Sequence, residues 1–284
     1  MNTEGNQTLM SCSGVKAPDV LLVMIGFAAA VLNVLLLLVM YNERKRFFRT
    51  RVSFLIANLA LADCLTGMML VLVMVLKFAQ KDKTLHGFQF LFLCGSIQLS
   101  FYTLIFMSVD RLIVAIKPMT WSNILTKRKT IIGIILIWGF AIVGSVVMKY
   151  ATTRRLLFLL FLEIIVLSFI FIHIVIFLVL RRQRRSLSNS GSSADVSHVM
   201  DLSLQACHAH ITSIVLTLML VLIVTYMPYI VFSNIIFARQ GSGMSLLVYD
   251  SGFRYAQAFS YLNYAANPVV YAWRLRVYRR AFSR

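Results

Sequence analysis

The sequence predicts an all-α membrane protein: a bundle of seven transmembrane helices with a short amphipathic cytosolic helix after the last span. Three observations carry this expectation. The chain is 60% hydrophobic and 13% charged, with a mean hydropathy of +0.82, outside the range of ordinary soluble domains. Apolar runs long enough to cross about 30 Å of hydrocarbon recur along its whole length. Lys and Arg gather in alternate connections between those runs, the distribution that orients a multi-pass chain.

In chain order the runs are 20–40, 52–76, 88–116, 130–148, 156–180, 210–237 and 247–273. The fifth, Leu156 to Leu180, is the clearest, broken only by Glu163, Ser168 and His173. The seventh is the most dilute, because Gln257, Ser260, Tyr261, Asn263, Tyr264 and Asn267 interrupt it. Hydropathy alone can miss it. Within that span, Asn267-Pro268-Val269-Val270-Tyr271 sets an amide, a proline and a phenol. The bilayer core has no water for such groups or for a carbonyl freed by proline, so this helix must face protein or a hydrated cavity.

Short connections make residues 20–273 one domain of antiparallel neighbours, between a tail at 1–19 and the terminal helix at 274–284. The longest connection, 181–206, contains Ser188-Asn189-Ser190-Gly191-Ser192-Ser193 and reads as a flexible polar linker. After span seven, Arg274-Leu275-Arg276-Val277-Tyr278-Arg279-Arg280 interleaves basic and apolar residues, which suits a helix lying on the inner membrane surface.

Seven spans put the termini on opposite sides. One side carries Arg44, Lys45, Arg46, Arg49 and Arg51, then Lys117 and Lys127–Lys129, then Arg181–Arg185 and the arginines after span seven. This richer side is expected in the cytosol of a plasma-membrane protein, with the amino terminus extracellular. The formal charge of +18 is then a topological signature and an attraction to membrane lipids. Nucleic acid is not expected as a partner, since the basic residues flank spans rather than form one patch. Met1 to Lys16 lacks the pattern of a cleaved signal peptide, so the first span would itself target the chain. Asn6-Gln7-Thr8 fits an external glycosylation acceptor. Cys64 and Cys94 fall in spans, Cys207 near the cytosolic start of span six and Cys12 in the tail. No disulfide or metal cluster is expected from them.

Asp63 lies near the middle of span two. A carboxylate there costs about 2.5–3.5 kcal/mol and needs partners. Asn33, Ser100, Asn263 and Asn267 are the candidates. With water they could hold a small hard cation such as sodium; equally, Asp63 could be a protonated, hydrogen-bonded polar knot. Asp110-Arg111 closes span three, either as a surface pair or as an inward-pointing latch. His86, His173, His208 and His210 have no arrangement suggesting ligands or bases. Neither a nucleophile elbow nor a phosphate loop is present, so an enzyme is not expected and no cofactor is required.

Together these residues resemble the rhodopsin-like (class A) G-protein-coupled receptors. Asn33 matches the first-span asparagine, Asn58-Leu59-Ala60-Leu61-Ala62-Asp63 the second-span signature, and Ser108-Val109-Asp110-Arg111-Leu112 the Asp-Arg-Tyr motif. Trp138, Pro228 and Asn267-Pro268-Val269-Val270-Tyr271 match the fourth-, sixth- and seventh-span motifs, and Tyr278 an aromatic of the last helix. The resemblance implies an extracellular ligand that rearranges the bundle, with the cytosolic end of span six swinging out to admit a heterotrimeric G protein. It implies switch roles for Asp110, Arg111, Tyr226, Pro228, Asn267, Pro268 and Tyr271, with Pro118 and Met119 against the G protein. It also implies an allosteric sodium-and-water site at Asn33, Asp63, Ser100, Asn263 and Asn267.

Several positions depart from the family pattern. Leu112 replaces the tyrosine after Arg111, Tyr226 stands where tryptophan is usual, span five has no proline, and His86 occupies the position of the disulfide cysteine. The short external loop, missing disulfide and proline-free fifth span look similar to the melanocortin branch, and the Tyr271-Ala272-Trp273-Arg274 ending to the melanocortin and adenosine branches. His208 replaces an acid that could lock Arg111, so basal signalling is expected. Leu93 stands where amine receptors carry aspartate and Tyr261 where opsins carry lysine, which disfavours both ligand classes. Lys77, Leu93, Tyr229, Arg254 and Tyr261 are the candidate ligand contacts. The basic outer half suits an anionic lipid or peptide, held by Arg254 or Lys77, unless those cations meet phosphate headgroups. A polytopic secondary transporter is the alternative function, although no internal repeat is evident.

Overall fold

The computed structural model describes residues 17–48, 50–78, 83–117, 125–189, 196–239 and 247–274. Seven long helices account for nearly all of them: α1 (Ala17–Asn42), α2 (Arg51–Phe78), α3 (Lys83–Ile116), α4 (Lys127–Tyr150), α5 (Arg154–Asn189), α6 (Val196–Arg239) and α7 (Leu247–Arg274). A single helical turn, Arg44–Phe47, follows α1, and no strand occurs among the described residues. The chain is an all-α bundle, and each apolar run of the sequence falls in its own helix.

Six of the helices are long and apolar enough to cross a membrane, and α7 is the exception. Its polar residues turn into the bundle instead of toward lipid. Ser260, Asn263, Tyr264 and Asn267 are all buried, where α7 packs on α1 and α6. Lipid faces show the reverse pattern: Phe27 on α1, Ile135 and Phe140 on α4, and Phe171 on α5 are exposed. In a bilayer these side chains meet acyl tails of equal apolarity, so exposing them costs little.

Helices reach into the connection expected over 181–206, whose serine-rich stretch from Ser188 to Ser193 lies mostly outside the described residues. Helix α5 continues to Asn189 and α6 begins at Val196. Backbone hydrogen bonds in a helix are local, so leaving the membrane does not end it, and Arg, Gln and Leu propagate it well. Residues 190–195 lie outside the described residues.

Two devices hold the bundle at its centre. Helices α1 and α2 cross at Gly26 and Gly67, where a Cβ on Gly67 would lie 2.5 Å from the Gly26 carbonyl oxygen and 2.7 Å from the Ala30 nitrogen. Without a hydrophobic drive between helices in lipid, such close backbone contact supplies the packing energy. Across α2, α3 and α4, Trp138 Nε1 donates to Asn58 Oδ1 at 2.9 Å, and Asn58 Nδ2 donates to Thr103 Oγ1 at 2.7 Å. One amide thus joins three helices. Helix α3 is the hub, touching α2, α4, α5 and α6.

Candidate functional site

An outer cavity of about 840 Å³ opens among α3, α5, α6 and α7. Leu93, Tyr229 and Tyr261, three of the expected ligand contacts, line it. Lys77 and Arg254 do not. Lys77 Nζ bonds Asp19 Oδ1 at 2.9 Å, and Arg254 Nη1 lies 4.0 Å from the same oxygen. The acid at the start of α1 therefore ties down α2 and α7, and occupies the two cations expected to hold an anionic ligand.

Tyr226, on the cavity wall, leads inward. Its hydroxyl shares a 2.7 Å hydrogen bond with the Tyr264 hydroxyl, joining α6 to α7. Its ring meets Phe101 of α3 edge-on, with centroids 5.1 Å apart. Proline has no N–H, so Pro268 leaves the carbonyl four residues earlier, that of Tyr264, without its helical donor. Asn33 Nδ2 donates to that oxygen at 2.9 Å. The proline-freed carbonyl is satisfied by α1 rather than by water. Asn33 Nδ2 also reaches Ala29 O at 2.8 Å, so its bonds run to backbone.

Deeper still, Asp63 is fully buried and accepts two short bonds, from Ser100 Oγ at 2.6 Å and from Asn267 Nδ2 at 2.6 Å. These link α2, α3 and α7 through one carboxylate. Asn267 Oδ1, on the residue bonded to Asp63, is buried without a hydrogen-bond partner among the described residues, as are Asn33 Oδ1 and both polar atoms of Asn263. Orphaned amide oxygens beside a carboxylate and a hydroxyl form an all-oxygen donor set suited to a hard monovalent cation and water. The residues present fit such an ion.

At the end of the bundle opposite the cavity, Arg111 is 1% exposed and donates to Asp110 Oδ2 through Nε at 2.9 Å and through Nη2. Arg51 Nη2 of α2 lies 3.9 Å from Asp110 Oδ1. Two arginines thus converge on one dry carboxylate. A hydroxyl–sulfur contact of 3.5 Å, Ser108 Oγ to Met219 Sδ, connects α3 to α6 nearby. Tyr271 is buried on α7. Pro118, Met119, Asn6 and Tyr278 lie outside the described residues, as does the side chain of His208.

Residues 32–156 match the family model described as 7 transmembrane receptor (rhodopsin family). The match supports a class A receptor. It runs from just before Asn33 to the start of α5, and so takes in Asp63, Asp110, Arg111 and Trp138. This similarity, over less than half of the chain, and the apolar helices together support a multi-pass membrane protein. A search of curated proteins returned no match.

Sequence reasoning missed three participants. Asp19 was overlooked because a first-turn acid usually marks only a helix start. Arg51 was counted as a topological charge, although it is buried beside Asp110. Tyr264 was read as one more polar residue diluting span seven. Its role was legible: it stands four residues before Pro268, the position whose carbonyl a proline releases.

Proposed function

We propose that the chain is a G-protein-coupled receptor that carries an extracellular ligand signal to a heterotrimeric G protein through a switch of the helix bundle. One observation carries this reading. Buried polar contacts tie the cavity wall to the interior: Tyr226 meets the Tyr264 hydroxyl, Asn33 holds the Tyr264 carbonyl, and Asp63 bridges α2, α3 and α7. Polar groups at this depth are costly, and a polar network with two arrangements is a means of coupling two sites. A ligand seated against Tyr226 would bias α6, which carries Pro228, and α7, which carries Pro268. Asp110, Arg111 and Arg51 would then exchange their internal pairing for contacts with the G protein. Pro118 and Met119 of the following loop are assigned to that interface.

In this reading the tail (1–19) is extracellular and residues 20–273 form the receptor domain; the amphipathic helix expected at 274–284 lies, after Arg274, outside the described residues. The chain resides in the plasma membrane and Asn6 carries glycan. A sodium ion at Asp63, Ser100, Asn263 and Asn267 stabilises the unliganded arrangement by neutralising the buried carboxylate. The test is guanine-nucleotide exchange on purified heterotrimers of each class by the receptor in lipid nanodiscs. Basal exchange above empty discs is expected, and its absence for every class would reject the reading.

A further inference from the structure

Resting on the receptor reading, the chemistry of the outer cavity points to the class of its ligand. Lys149, Arg154 and Arg155 stand on its wall, and no Asp or Glu is among its described lining residues. Glu163, the acid of α5, is engaged elsewhere, accepting from Asn234 Nδ2 at 2.7 Å. Two of the three cations lie over rings: Lys149 Nζ is 5.4 Å from the Phe88 centroid and Arg154 Cζ 5.9 Å from that of Phe90. Among the described residues no acid pairs with Arg155. Along α3 and α5 the wall is apolar, formed by Leu93, Ile97, Phe158 and Leu159, while Gln257, Ser260 and Tyr261 of α7 line the other side. Gly87 and Ile97 both line it, and ten residues of helix separate them by about 15 Å.

We propose that the cavity binds an amphiphilic carboxylate, its head on Arg155 between Lys149 and Arg154 and its apolar tail running down α3 toward Ile97. The volume, about 840 Å³, suits a small molecule rather than a folded partner. An ammonium head would face three like charges with no counter-ion. A neutral lipid would lie against a guanidinium it could not neutralise. Arg presents a planar fork of donors that matches a carboxylate bidentately, which assigns the head to Arg155 rather than to Lys149.

The test uses the purified full-length receptor in zwitterionic nanodiscs without G protein, with dodecanoate, 1-dodecanol and dodecylamine as probes. Dodecanoate is expected to raise the melting midpoint, and the alcohol and amine to do so far less. Arg155→Gln should weaken dodecanoate binding about tenfold, the loss of one charge-assisted contact, while Arg155→Lys retains part of it. Lys149→Gln, expected to weaken binding less, supplies the comparison if Arg155→Gln does not fold. Equal binding of dodecanol and dodecanoate, or unchanged dodecanoate affinity in the glutamine variants, would overturn the proposal and leave these cations to lipid headgroups. Loss of carboxylate selectivity with intact nucleotide exchange rejects the ligand and keeps the receptor. Selective binding with no exchange on any heterotrimer does the reverse.

Discussion

The two ends of the bundle each hold one aspartate between two cations, and water separates their physics. At the outer end Asp19 meets Lys77 and Arg254, whose side chains are 47% and 32% exposed. At the inner end Asp110 meets Arg111 and Arg51, at 1% and 9%. Solvent screens the outer cluster, where such pairs contribute about 0–1 kcal/mol. Inside, removing one member strands a buried charge, at a cost of about 3–5 kcal/mol. Similar residues therefore orient helices outside and hold a conformational state inside. A dry pair of this kind opens only when something replaces the lost partner, the property that the proposed G-protein switch requires.

Breaking the inner cluster should have the largest effect. Asp110→Ala deprives Arg111 and Arg51 of their shared carboxylate. We expect a loss of about 3–5 kcal/mol, seen as a lower melting midpoint in nanodiscs, together with faster basal nucleotide exchange. An unchanged midpoint would make the inner cluster as soft as the outer one. Next is the buried carboxylate between the two ends. Asp63→Ala removes the acceptor of Ser100 and Asn267 and should cost about 1–3 kcal/mol. Melting in sodium chloride against choline chloride at equal ionic strength sharpens this. The parent should be more stable in sodium, and the variant indifferent to the choice.

A smaller effect is expected from Tyr226→Phe, which leaves the Tyr264 hydroxyl without its partner. About 1 kcal/mol of stability should be lost, and ligand-stimulated exchange should fall more than basal exchange, because the link from cavity to α7 is cut. Equal loss of both would give the pair a structural role only. The smallest effect belongs to the outer end. Asp19→Ala should cost under about 1 kcal/mol, a difference that shrinks further as salt is raised. A cost near that of Asp110→Ala would erase the contrast between the two ends.

Much of the bundle was legible because hydrocarbon is an unforgiving solvent. Runs such as Leu156–Leu180 have no other use, and the amide–proline–phenol sequence in span seven signalled an inward face that hydropathy missed. The partners of Asp63 were legible for the same reason: a carboxylate in oil must be answered, and Ser100 and Asn267 were among the few groups able to answer it. What could not be read were features set by geometry in water or by tertiary approach. The helical extensions to Asn189 and from Val196 follow from local hydrogen bonding that a serine-rich composition conceals. The capture of Lys77 and Arg254 by Asp19 depends on how three helix ends meet, which no spacing along the chain encodes.

The proposed switch requires the first turns of α6 to swing away from α4 when a G protein binds. The direct measurement is a distance between spin labels at Lys127→Cys on α4 and Gln205→Cys on α6, in a background with Cys12 and Cys207 replaced by serine. The account predicts a longer distance when nucleotide-free G protein is bound, and a return to the shorter one in Arg111→Ala. A distance unchanged by bound G protein would contradict it.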